Sequence, residues 1–522
     1  MLNPQIWRYS FGEVRNARLI IICIIIISIA FRVWGINYDL PYIYHPDEPV
    51  SIAISRDMFV TGDLNPHFFG YSSLPLYINA LAYIPYYFFG KLVGVFQTRH
   101  DILPLVSLTM GVTKAPFPTS VLLHRLVSVF FGIGTVVVTF LIAKQITHKT
   151  SAGILAACMM AVSPSMVAHS RLVPPNIYVV FFMLLAFLAS ILIYKRGKTW
   201  HYVIAGLCVG FTISSKYNGG LIILALILAH FLRYGKGALR EKRLYLAIFL
   251  CGVGFLLTTP FALLDFSQFY EDFVYHAQYY RVASHPGMEG NTLRWYLDYA
   301  WKTGGILYIF AILQILYGVY VGSKEIALLA IFPVVYFGYI STLNVRNDRT
   351  FIPIAPFLFI LAAWFLVCLW RKIKEISSKT QRNLSMVAFA CLTIAALAFP
   401  TSRTIVDTRR LTTVNSRETA RVWIVDNLPP GSKIALESYA PFVEPALFLV
   451  RGVGRMIDRE PEWYIENDFD YLVFGQGMYG RFYLQPEEYD TEVMQYDNFF
   501  DQFTLVKAFN DGNYEVLVYE VK

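Results

Sequence analysis

Charge is scarce in this chain: 15% of its 522 residues are Asp, Glu, Lys or Arg, against about 25% in an ordinary soluble domain. That excludes a disordered polyelectrolyte and a simple soluble globule. Cysteine is scarce too. All six, Cys23, Cys158, Cys208, Cys251, Cys368 and Cys391, fall within apolar stretches, so neither a disulfide framework nor a zinc motif is present. A glycine-rich phosphate loop and a lysine-rich tail are both missing, which argues against nucleotide and nucleic-acid partners. The first apolar segment, 19–36, lacks a small-residue cleavage site and is long for a signal sequence, so it reads as a retained helix. No internal repeat marks a transporter of two related halves.

What the chain has instead is apolar surface. Hydrophobic residues make up 56% and the mean hydropathy is +0.48. The apolar runs reach roughly 18 to 22 residues, enough to cross a hydrocarbon core of ~30 Å. The sequence is therefore that of a polytopic membrane protein. Its 41 Phe, 35 Tyr and 9 Trp can serve interfacial belts or line a cavity for an amphiphile. Charge is unevenly divided: residues 1–401 carry a net +16 and residues 402–522 a net −8. We expect two domains with that boundary, a membrane domain and a soluble α/β domain.

Four polar loops are rich in Lys and Arg: 144–149, 195–201, 233–243 and 371–382. Basic loops stay cytoplasmic, so all four are placed inside together with the N-terminus. Spans then fall at 19–36, 121–143, 151–168, 177–194, 202–216, 219–232, 244–262, 304–321, 325–342, 351–370 and 383–400. This predicts about 11 transmembrane helices with the C-terminal domain outside. Counting 76–95 as a further span would invert every basic loop, so it is expected to be interfacial or re-entrant. Two long outer loops follow, 37–120 and 265–301. The segments 202–216 and 219–232 share too few residues for two full spans, so 214–219 is expected to break the helix and line a cavity. In the tail, a helix is predicted over 416–427 and strands over 433–437, 471–474, 504–508 and 515–520.

The sharpest polar feature is Tyr44-His45-Pro46-Asp47-Glu48, on the outer side just after the first span. Two adjacent carboxylates at a membrane surface can hold a cation, a hydroxyl or an amine, and one of them can act as a general base; an exposed acidic turn fits the same residues. Lys216, Arg171, Arg346 and Arg349 also map to the outer face, against the usual bias. They suit phosphate oxygens and a developing negative charge, although each alone is equally a snorkelling side chain. His276, His285 and Glu289 match no compact ligand spacing, and no metal site is expected. Arg32, inside the first apolar segment, is left without a role.

These residues resemble the GT-C glycosyltransferases that use polyprenyl-phosphate sugars, especially the protein O-mannosyltransferases and the lipid A aminoarabinose transferases. The likeness runs in order through His45-Pro46-Asp47-Glu48, Ile54-Ser55-Arg56-Asp57-Met58, Thr61-Gly62-Asp63-Leu64 and Ser73-Leu74-Pro75-Leu76-Tyr77. It continues through Arg125-Leu126-Val127-Ser128, Ser163-Pro164, Ser170-Arg171, residues 206–217 ending in Ser-Lys-Tyr, and residues 346–356. It implies an inverting, metal-independent transferase without a cofactor. Its donor would be a polyprenyl-phosphate-linked sugar, and its acceptor a hydroxyl or phosphate of a lipid, glycan or protein at the outer face of the plasma membrane. The resemblance makes Asp47 the base and has Glu48 orient a substrate. Lys216, Arg346 and Arg349 would hold the carrier phosphate, with Tyr217 and Arg171 beside them, and His45, Arg56 and His285 would belong to the acceptor loops.

Two positions depart from the family pattern: Asn176 stands where many relatives have an acidic residue, and Leu74 where they have lysine. Two other readings stay open. A lipid-linked-sugar flippase calls for ionisable groups in mid-membrane and paired broken helices, whereas this chain has one short pair. A non-catalytic assembly scaffold is compatible with Asn176.

Overall fold

The computed structural model describes residues 4–282 and 286–521. Helices cover the eleven expected spans, but 151–168 is divided at Ser163 into Thr150–Val162 and Pro164–His169, and 244–262 at Thr259-Pro260 into Arg243–Thr258 and Phe261–Leu264. Among the described residues five helices are long and apolar enough to cross a membrane: Pro118–Thr147, Asn176–Arg196, Tyr217–Arg240, Asp348–Lys374 and Lys379–Arg410. A sixth arises if Thr292–Gly304 and Ile306–Val321, bent by 112°, are taken as one broken span. Thr150–Val162, Thr199–Ile213 and Arg243–Thr258 are apolar but shorter. The chain is a multi-pass, mostly helical membrane protein with a small β-containing C-terminal domain.

The helical core gathers Tyr178, Phe187, Tyr202, Phe332, Tyr336 and Phe357, all fully buried. The Ser73–Leu92 segment, expected at the interface, is a helix interrupted in composition by Pro85 and Asn79 and is not among the five long apolar ones. Its Phe88, Phe89 and Leu92 are largely exposed. The first outer loop is more ordered than its composition indicates. It holds the helix Glu48–Thr61 and a three-stranded sheet in the order Tyr42–Ile43, Val112–Lys114, Val106–Thr109. From the second outer loop comes Phe266–Val282, a helix without a buried residue, whose Phe269 and Phe273 pack on Phe69 and Tyr217.

The expected boundary at residues 401/402 moves. Lys379–Arg410 is one continuous helix, and the α/β unit begins at Ser416–Asn427. The change in composition marks where the helix leaves its apolar surroundings, while the backbone hydrogen bonds carry on through the polar turns. The C-terminal sheet has the order Leu449–Val453, Lys433–Glu437, Tyr471–Gly475, Glu515–Glu520, Thr504–Asn510. The first three strands are parallel and the last two antiparallel. Leu449–Val453 was not anticipated, because it is an edge strand whose side chains are mostly exposed and show no alternation. The domain sits on the first outer loop: Tyr42, Tyr44 and Val112 share a core with Ile434, Phe442 and Val518. Lys114 pairs with Glu444 at 2.7 Å, and Arg417 stacks on Tyr44 with its guanidinium carbon 4.2 Å from the ring centroid.

Candidate active site

Pro46 starts the turn that ends at Asp47, and Asp47 is the N-cap residue of Glu48–Thr61. The two carboxylates therefore leave the chain in different directions. Glu48 points inward and is fully buried against Arg125, which donates from Nε at 2.9 Å and from Nη2 at 2.7 Å. Arg125 uses its remaining donor on the carbonyls of Ile36 (2.8 Å) and Tyr38 (3.1 Å), and lies 3.9 Å from the Tyr38 ring centroid. Glu48 thus ties the Pro46-Asp47 turn to the Pro118–Thr147 helix, with both its oxygens engaged by Arg125 where the resemblance implied that it orients a substrate. Asp47 points outward, is partly exposed, and forms an ion pair with Arg349.

Around that pair the structure brings together residues distant in sequence. Lys216 Nζ donates to Asn176 Oδ1 at 3.2 Å and to the Arg349 carbonyl at 3.3 Å. Asn176 contacts His169 (3.4 Å), whose other ring nitrogen lies 3.2 Å from Asp348. The Asp47 backbone N–H donates to His45 Nδ1 at 3.2 Å. Burial holds the His45 imidazole down, at about 4, with Arg349 adding to the effect and Glu48 opposing it. His45 is therefore neutral near pH 7 and anchors the Asp47 turn without adding charge.

The backbone explains why these groups meet. Asp47 caps Glu48–Thr61, Asn176 opens Asn176–Arg196 behind Pro174 and Pro175, and Lys216 precedes Tyr217–Arg240. Asp348 opens Asp348–Lys374, with Asn347 accepting from the Thr350 N–H at 3.0 Å. Four helix N-termini thus converge on one patch. Each helix start carries a partial positive charge, which favours anions. The expected break at 214–219 is present. Its Ser214 carbonyl accepts from Leu74 N at 2.9 Å, and the Tyr217 hydroxyl donates to the Phe69 carbonyl at 3.0 Å. Those bonds fasten the first outer loop to the rim.

Several predicted residues lie elsewhere. Arg171 is buried and donates to the Phe31 carbonyl and to Thr408 (2.8 Å), joining the first helix to Lys379–Arg410. Arg346 is buried against the Glu289 carbonyl and supports the second outer loop. Arg56 bonds the Ile102 carbonyl at 2.8 and 2.6 Å and Asp57 at 2.6 Å, bracing the first loop internally. Arg171 and Arg346 were expected at the site from their outer-face position and Arg56 from the resemblance, but each spends its guanidinium on a backbone carbonyl. Arg32 is likewise enclosed, by Ser28, Ser170 and the Ala161 carbonyl. His285 lies outside the described residues. Among the described residues no three His, Cys, Asp or Glu side chains are grouped as a metal site. Residue types alone missed His169, Asp348 and the anchoring role of Arg125; Arg125 carried one signal, a lone cation within an apolar helix.

The family model described as dolichyl-phosphate-mannose-protein mannosyltransferase matches residues 106–276. No curated protein matches the chain by sequence. The oligosaccharyltransferase AglB from Archaeoglobus fulgidus, solved with an inhibitory peptide and a dolichol-phosphate, is similar in structure. Its TM-score is 0.57 at 12% identity, covering 98% of this chain and 74% of AglB. ArnT from Cupriavidus metallidurans bound to undecaprenyl phosphate has a TM-score of 0.54 at 14% identity, covering 95% of this chain and 97% of ArnT. Both likenesses extend over nearly the whole of this chain, and the chain shares the fold of these two membrane proteins.

Proposed function

We propose that the chain is an inverting glycosyltransferase that moves a sugar from a polyprenyl-phosphate carrier to an acceptor hydroxyl or phosphate on a lipid, glycan or protein. The observation that carries this reading is the convergence of four helix N-termini, Lys216 and Arg349 beside the carboxylate of Asp47. A phosphodiester fits the cationic patch, and its polyprenyl chain fits the surrounding apolar helices. Asp47 takes the acceptor proton as the acceptor oxygen attacks the anomeric carbon. The bond from that carbon to the phosphate oxygen breaks, and the carrier leaves as a phosphate monoester. Lys216, Arg349 and the helix N–H groups stabilise the charge gained by the leaving phosphate. Arg349 cannot serve two anions fully. A carrier phosphate competes with Asp47 for it, and the carboxylate becomes more basic when the phosphate wins. No metal is assigned in this mechanism. The site faces the outside of the plasma membrane, with the N-terminus inside and the C-terminal domain outside.

The test is transfer by the full chain in lipid nanodiscs, with a panel of radiolabelled polyprenyl-phosphate sugars and a membrane extract as acceptor. Label incorporation that disappears in Asp47→Asn supports the reading. A folded wild type that transfers no label from any donor, beside a working control enzyme, overturns it and favours the scaffold.

A further inference from the structure

The end of the helical bundle away from Asp47 holds a cavity of about 610 Å³. It lies where the basic loops 144–149, 195–201 and 233–243, all expected inside, meet the start of Lys324–Ile340. Asn176–Arg196 fixes its depth. That helix begins at the candidate active site with Asn176 and reaches the cavity with Tyr194 and Lys195, about 28 Å further on at 1.5 Å per residue. Tyr217–Arg240 likewise starts beside Lys216 and arrives with Leu232, Arg233 and Tyr234.

Three cations line the cavity, Lys195, Arg233 and Lys324, against one carboxylate, Glu325. That carboxylate is already occupied: the Tyr194 hydroxyl donates to Oε1 at 2.9 Å and the Ser323 hydroxyl to Oε2 at 3.3 Å. Among the described residues none of the three cations is ion-paired. Lys195 Nζ donates to the Gln145 carbonyl and to His148 Nε2 (2.9 Å), and Arg233 Nη1 donates to the Tyr194 carbonyl at 3.1 Å. Arg233 Nε and Nη2 and the whole Lys324 ammonium have no hydrogen-bond partner among the described residues. Gly197, with φ +60°, permits the arrangement, because a Cβ there would collide with the Arg233 guanidinium. Cations at helix carboxyl ends and on inner loops follow from the helix dipole and from topology. Neither rule requires them to ring an open volume with donors to spare.

The walls indicate which anion fits. Leu232 and Tyr234 line the cavity beside the charges. Ile306–Val321, the helix that precedes Lys324, exposes Tyr317, Val319 and Tyr320 in its last turns. A soluble anion needs only the charge. A phospholipid needs charge for its headgroup and apolar surface next to it for its acyl chains, and basic pockets between helices on the cytoplasmic side meet both needs.

We propose that this cavity binds the phosphate of an anionic phospholipid from the inner leaflet, with Arg233 and Lys324 as its principal contacts and the acyl chains along the exposed face of Ile306–Val321. The guanidinium fork and the ammonium suit phosphate oxygens. A lipid held there clamps the inner ends of the two helices whose outer ends carry Asn176 and Lys216. The inference stands apart from the transferase reading, and its test reads binding and stability alone.

The full chain, purified in detergent and stripped of lipid, is titrated with dioleoyl phosphatidylglycerol while native mass spectrometry counts bound lipid and a melting assay follows Tm. The wild type should retain one phosphatidylglycerol in preference to phosphatidylcholine and melt higher with it. Each cation removed should weaken that binding about fivefold, so Arg233→Gln/Lys324→Gln should lose roughly twentyfold. Lys324→Gln alone breaks no hydrogen bond of the fold, and should lose about fivefold with the lipid-free Tm unchanged. Lys379→Gln removes an exposed cation on the same side but outside the cavity, and should change affinity less than about twofold. Equal retention of phosphatidylcholine overturns the site, as does unaltered affinity in Lys324→Gln and in the double variant, or an equal loss in Lys379→Gln. Inorganic phosphate that raises Tm as much as the lipid at the same concentration would make the ligand a soluble anion and overturn the lipid assignment.

Discussion

Asp47 and Glu48 are neighbours in sequence and each meets an arginine, yet they stand in opposite environments. The Glu48–Arg125 pair is fully buried and bidentate, with every nitrogen of Arg125 engaged. The Asp47–Arg349 pair is partly exposed, its side chains at 19% and 32%, at the meeting point of four helix N-termini. One pair fixes where the turn sits, and the other is left where a ligand can compete for it. Adjacent like charges at a helix start can be divided this way because the N-cap residue and the first helical residue point to different sides of the axis.

The comparison breaks first at Arg125. Arg125→Ala strands a buried carboxylate and should destabilise the fold by roughly 3–5 kcal/mol, the usual cost of removing one partner of a buried pair. Thermal unfolding of the detergent-solubilised protein would read this as a large fall in Tm or a loss of monodisperse material. The double variant Glu48→Gln/Arg125→Met should recover most of it. Next comes Asp47→Asn, which should lower transfer by about 10²- to 10⁴-fold, the span of general-base effects, with Tm almost unchanged. Steady-state turnover beside the same melting assay separates the two carboxylates: a melt as damaged as that of Arg125→Ala would show that Asp47 is structural as well.

Arg349→Gln should act mainly on ligand. A lost charge-assisted hydrogen bond is worth about 1.5–3 kcal/mol, so undecaprenyl phosphate affinity should fall roughly tenfold or more. The stability of the exposed pair itself is worth only about 0–1 kcal/mol. Titration of the purified variant with undecaprenyl phosphate measures the first, and unaltered affinity would remove Arg349 from the carrier site.

The smallest effect concerns His45. Its folded value of about 4 lies below the ordinary imidazole value, near 6.5 in an unfolded chain. Between those two values the unfolded chain binds more protons, so stability should rise with pH from about 4 to about 6.5 and level off above. His45→Gln should flatten that part of a Tm-against-pH series, and an unchanged slope would assign it to other groups.

Much of the helical frame was legible in the sequence, and the partners of individual charges were not. Apolar runs announced the five long apolar helices, and the shortage of residues around 214–219 announced the break that carries Lys216. Arg171 and Arg346 were grouped by their shared face and Arg56 by the resemblance, but neither cue says whether a guanidinium is consumed by a backbone carbonyl, as all three are. His169 and Asp348 carried no signal at all, since a histidine and an aspartate 179 positions apart become partners only when two helix ends meet. The edge strand Leu449–Val453 and the hairpin of the first outer loop escaped for a related reason: their order comes from what they dock on.

The amino-acid sequence alone determined that this is a polytopic membrane protein with an acidic α/β tail and a carboxylate pair just after its first apolar segment, because hydropathy and net charge are local sums that survive any folding. Only the tertiary structure decided which carboxylate is buried, which cations surround the other, and that the tail docks on the loop after the first helix. Those outcomes depend on burial and on pairing between distant segments, which no local sum contains.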